Sequence, residues 1–169
     1  MVKVAFAGGL RGTDDPGLVL ERMNTTLCGM FERSFVTAAC AVLHPAARSL
    51  TYALAGHPPP LLLPPAGNDA ALLDERGVFL GFDPSATYTA ATVAARPGAR
   101  LVLYTDGVIE TPNSDDDLFG IERLTAFASR ARTQSSEGFA DSLIETLRLF
   151  TGSPTLRHDD VTLVVVDLG

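Results

Sequence analysis

The chain has 169 residues, 46% of them hydrophobic and 20% charged, a globular composition of a length suited to a single domain over residues 1–169. Thirteen basic against twenty acidic residues leave a net charge of -7, which argues against nucleic acid and anionic membrane as partners. No apolar run approaches the roughly 20 residues that span a bilayer, and the first dozen residues do not make a signal peptide, so a cytoplasmic location is expected.

MVKVAFAGGLRG, residues 1–12, reads as the end of a helix that stops near Gly8 and Gly9. Asp15-Pro16 opens the next helix, with Asp as N-cap and Pro at the first helical position. Val19, Met23, Leu27 and Met30 recur at helical spacing, which predicts an apolar stripe reaching about Phe31 with both methionines in the core. Cys28 and Cys40, the only cysteines, lie among apolar neighbours and are expected to be small buried thiols. The apolar runs 34–43 and 49–55, separated by a short link, predict an antiparallel hairpin. His57 and three prolines follow, a segment barred from the middle of a sheet because proline donates no ladder hydrogen bond. His57 has two readings: a structural histidine pinning this loop, or a polar group close to a reaction centre. Residues 67–74 read as a surface loop, 77–84 as a tight connection and 87–94 as a strand.

The stretch LVLYTDGVIE, residues 101–110, holds the chemistry. Leu101, Val102, Leu103 and Tyr104 fit a strand buried on both faces. Asp106 follows, held by the sheet, and Gly107 lets the backbone turn and a ligand approach. A second acidic group, Asp159-Asp160, comes just before the apolar run 163–166. If these two strands are antiparallel neighbours, the carboxylates meet at one sheet end and form a hard oxygen site suited to Mg²⁺ or Mn²⁺. Asp115, Asp116 and Asp117 read as a solvated loop. Ile121, Leu124, Phe127 and Ala131 share one helical face, and Phe139, Leu143, Ile144, Leu147 and Phe150 share another. Strands in consecutive runs, not alternating with helices, favour an α+β architecture.

TDGVIE at 105–110, DDVT at 159–162, AGHPPPLLL at 55–63 and GVFLGFDP at 77–84 together resemble the SpoIIE-type serine phosphatases of the metal-dependent protein phosphatase (PPM) family. The resemblance runs from about Asp15 to the C-terminus. It implies a four-layer αββα sandwich of antiparallel sheets and a protein-serine/threonine phosphatase in which two Mn²⁺ or Mg²⁺ ions activate water. Carried over by position, Asp106 and Asp159 become catalytic metal ligands. Gly107, Asp160 and His57 become supporting or substrate-proximal residues. The implied substrate is a phosphoserine or phosphothreonine protein, typically an anti-sigma-factor antagonist.

The family's early acidic ligand and its Asp-x-Ser-Gly-His-Gly segment have no match in residues 1–43. The sandwich is therefore expected to be incomplete at its N-terminus, with metal held weakly or not at all and little activity in the isolated chain. Exposed sheet edges would then favour homo-oligomers. The alternative is a catalytically inactive PPM-like regulatory or protein-binding module.

Overall fold

The structure is a computed structural model that describes residues 2–30, 35–67, 70–153, 155 and 160–169. The first half of the chain carries α1 (Val2–Gly9), α2 (Pro16–Leu27), β1 (Ala38–His44), β2 (Ser49–Ala55), β3 (Leu61–Leu63) and β4 (Ala71–Leu72). The second carries β5 (Ala91–Ala94), β6 (Ala99–Tyr104), α3 (Asp106–Ile109), α4 (Gly120–Ala131), α5 (Ser136–Thr151) and β7 (Leu163–Leu168). All strand ladders among the described residues are antiparallel, which makes the class α+β as expected. Among the described residues, no helix is long and apolar enough to cross a membrane.

Contacts gather into two compact units, Met1–Pro59 with Leu73–Ala95, and Pro60–Leu72 with Arg96–Gly169. In the first, β1, β2 and β5 form a sheet in that order, and the predicted hairpin pairs Ala38 with Ala55 through His44 with Ser49. Asp15 caps α2 by accepting the Gly17 N–H at 2.8 Å and the Leu18 N–H at 3.3 Å. Val19, Met23 and Leu27 are buried with Cys40, Ala53, Ala55, Leu80 and Tyr88.

The helix stops at Leu27, however. Cys28 leaves helical geometry at ψ 132, and Gly29 takes a positive φ of 77, a conformation glycine adopts without steric cost. Beyond that break the helical spacing no longer sets direction. Met30 is 49% exposed, which corrects its expected place in the core. Cys28 is only half-buried, whereas Cys40 is buried, and burial first and Asp15 second push its thiol pKa up.

Asn24 also faces inward, fully buried, although its type suggests a surface position. Its Nδ2 donates to the Asp83 carbonyl at 2.7 Å and its Oδ1 accepts the Gly81 N–H at 2.8 Å, which fastens the 81–83 connection to α2. The expected strand over 87–94 shortens to Ala91–Ala94, because only those residues find partners, opposite Ser49–Tyr52 on β2.

In the second unit the strand order is β4-β3-β6-β7. Leu61, Leu63, Val102 and Tyr104 from the sheet meet Leu124 and Phe127 of α4 and Phe139, Leu143 and Leu147 of α5 in one buried core. Both helix faces are those the spacing predicts. Nothing in the sequence marks residues 61–63 as a strand. Only three residues long and preceded by prolines, they become one by pairing with Arg100–Val102 of β6. Asp115, Asp116 and Asp117 are exposed, as expected.

Candidate functional site

β6 is buried along nearly its whole length, so its end is fixed by core packing. At Thr105 the backbone is still extended (φ -82, ψ 159), and at Asp106 it enters the four-residue helix α3. The Asp106 side chain is exposed, with Oδ1 accepting the Gly107 N–H at 3.1 Å. The Asp-Gly pair is therefore not the turn expected from its type. Gly107 lies within the helix and is buried, its carbonyl accepting the Thr111 hydroxyl. Val108 beside it is fully buried, which anchors the short helix and the carboxylate at its start.

β7 runs antiparallel to β6, with the register Ala99↔Leu168 through Tyr104↔Leu163. The start of β7 thus lies beside the end of β6, as the sequence reading requires. Past the last ladder pair, the Thr105 N–H donates to the Thr162 carbonyl at 3.1 Å. The Thr105 hydroxyl accepts the Thr162 N–H at 2.9 Å and donates to the Asp160 carbonyl at 2.8 Å. Asp160 is exposed, and Asp159 lies outside the described residues. By type alone Thr105 does not stand out in the sequence, since a β-branched residue ending a strand needs no further explanation. Its position directly before Asp106 is the one signal that could have marked it.

His57 belongs to the other unit. Its Nδ1 is 2.8 Å from the Pro58 carbonyl, and because a carbonyl only accepts, Nδ1 is the protonated nitrogen. This contact ties the ring to the backbone of the next residue in the loop.

The donor chemistry can be set against what a hard divalent ion needs. Mg²⁺ and Mn²⁺ take oxygen ligands, keep several waters and require only one or two carboxylates. An exposed aspartate that opens a short helix directly after a buried strand fits that chemistry. Among the described residues no three His, Cys, Asp or Glu side chains converge, and the remaining candidate carboxylate ligand, Asp159, is outside them.

Comparison with known proteins places this fold in a recognised class. The structure matches the SiaA-PP2C domain of Pseudomonas aeruginosa with a TM-score of 0.84 at 20% identity, covering 99% of this chain and 68% of that one. It also matches the phosphatase domain of the cell-fate determinant SpoIIE from Bacillus subtilis, presoaked with manganese. That TM-score is 0.67 at 18% identity, covering 99% and 71% of the two chains. The fold is that of PP2C-type phosphatase domains. The family model for Stage II sporulation protein E (SpoIIE) spans residues 1–169, so the chain belongs to the SpoIIE family of phosphatases. A curated relative, Protein IcfG of Synechocystis sp., is 28% identical over 132 residues, or 78% of this chain; the chain matches about a fifth of that protein's length (20%).

Proposed function

We propose that this chain is a metal-dependent protein-serine/threonine phosphatase domain. Its substrate would be a cytoplasmic phosphoserine or phosphothreonine protein, of the anti-sigma-factor-antagonist class that the family resemblance implies. The reading is carried by one observation: beyond the β6–β7 ladder, Thr105, the residue directly before Asp106, is hydrogen-bonded to the Asp160 carbonyl, and Asp160 follows Asp159 in the chain.

Asp106 and Asp159 would hold Mn²⁺ or Mg²⁺, two ions in the complete site. When bound, such ions supply an activated water and neutralise phosphoryl oxygens, so the protein need not provide a nucleophile. The chain's own contribution is placement. The buried strand and Val108 fix where the Asp106 carboxylate starts, and the Gly107 N–H orients Oδ1. Asp160 would support the ligands by hydrogen bonding and local charge. A net charge of -7 fits a domain whose acidic site is offset by bound cations.

The test is Mn²⁺ titration by calorimetry together with hydrolysis of a phosphoserine peptide. The expected result is weak Mn²⁺ binding that Asp106→Asn weakens by at least about a further 10-fold, with little or no hydrolysis by the isolated chain. If the wild-type chain binds no Mn²⁺, the phosphatase reading fails and the non-catalytic binding module takes its place.

A further inference from the structure

Thr105 stands where two kinds of backbone meet, and every polar group it has is committed. Its N–H makes the last strand-like bond, to the Thr162 carbonyl at 3.1 Å. In a continuing antiparallel ladder its carbonyl would receive the Thr162 N–H in return. That carbonyl instead accepts the Val108 N–H at 3.0 Å, in the first turn of α3. The side chain fills the gap: Oγ1 takes the Thr162 N–H at 2.9 Å and gives its own proton to the Asp160 carbonyl at 2.8 Å.

The carbonyl thus belongs to the helix that begins with Asp106, while the hydroxyl belongs to the segment that contains Asp160. Both hydroxyl roles are needed, because Thr162 presents a donor and Asp160 an acceptor. A side chain that only accepts can serve the first but not the second, and an aliphatic one serves neither. Serine and threonine combine both functions on one atom at this reach from the backbone.

We infer that Thr105 is a positioning residue, whose hydroxyl holds the Asp160 backbone against the residue directly before Asp106 and so tunes divalent-cation affinity. The inference rests on the metal-site reading given above. Groups that orient ligands without touching the ion change metal affinity by about 10- to 100-fold when removed. Thr105→Val keeps the shape and β-branching of threonine and removes only the hydroxyl's hydrogen bonds; Thr105→Ser keeps them.

The experiment measures Mn²⁺ dissociation constants by calorimetry and by electron paramagnetic resonance of free Mn²⁺ for wild type, Thr105→Val and Thr105→Ser. Amide hydrogen exchange at Thr162 is followed in the metal-free proteins. Thr105→Val is expected to weaken Mn²⁺ binding by about 10-fold or more and to speed Thr162 exchange, with Thr105→Ser within about threefold of wild type on both. Wild-type binding that Thr105→Val leaves unchanged would overturn this inference alone. Unchanged Thr162 exchange in Thr105→Val would overturn the hydroxyl bridge itself. A wild type that binds no Mn²⁺ would overturn the metal-site reading and the positioning role together, whatever the exchange shows.

Discussion

Replacing Asn24 with alanine tests how strongly a buried amide holds the 81–83 connection to α2. Asn24 is 0% exposed, and Asn24→Ala strips the Gly81 N–H and the Asp83 carbonyl of partners at 2.8 and 2.7 Å. A buried group left without its partner costs about 1–3 kcal/mol. Asp83 is exposed, so water can replace part of what its carbonyl loses, and Gly81 is half-buried. Taking the lower half of the range for each, and adding the space left by the truncated side chain, gives a loss of about 3 kcal/mol. In a chain of this size that lowers Tm by about 6–12 °C. Urea unfolding followed by circular dichroism measures it directly.

Asn24→Asp sharpens the test. It keeps the acceptor for Gly81 but sets a buried carboxylate against the Asp83 carbonyl. Burial raises the carboxyl's folded-state pKa, so the variant recovers stability as pH falls and the protonated acid donates to that carbonyl. A loss below about 1 kcal/mol for Asn24→Ala, or Asn24→Asp matching wild type at neutral pH, would refute the reasoning.

Three further substitutions probe two buried polar groups whose satisfaction is incomplete. The Tyr88 hydroxyl is buried and has no hydrogen-bond partner among the described residues. Burial first, then Cys28, Asp83 and Glu21, push its phenol from 10.0 up to about 12. Its folded pKa is raised, so its contribution is fully present below pH 10.0 and is lost as pH rises toward 12. Tyr88→Phe should leave stability at neutral pH within about 1 kcal/mol of wild type and flatten this alkaline decline, as denaturant titrations across that window will read. Arg100, with a side chain 8% exposed, donates to Asp167 at 2.6 Å and to the Gln134 carbonyl at 2.9 Å, over the ring of Phe139. Asp167→Ala leaves this guanidinium buried without its carboxylate and should cost about 1–3 kcal/mol, discounted from fully buried pairs because the Asp167 side chain is 54% exposed. Arg100→Met removes the charge itself and should cost less; the opposite order in urea unfolding would contradict the argument.

Much of the fold follows from interactions between residues close in the chain. The Asp15 cap, the helical spacing of Val19, Met23 and Leu27, the stripes of α4 and α5, and the apolar run of β6 express geometry that neighbouring residues impose on each other. They were legible for that reason, as were the motifs that mark the family. Met30 misled because the spacing continues past the point where Gly29 ends the helix.

What the sequence could not decide depends on partners far along the chain. The Thr105 hydroxyl meets residues 55 and 57 positions away, Asn24 meets one 59 away, and Arg100 meets one 67 away. Leu61–Leu63 forms a strand only because β6 lies beside it. Burying a polar side chain without a matching donor or acceptor is costly, so where Asn24 and the Thr105 hydroxyl find theirs is settled by the residues that folding brings to them. Sequence alone thus named the acidic residues and their family, while tertiary pairing decided that the end of β6 and the start of β7 meet and that a threonine hydroxyl joins them.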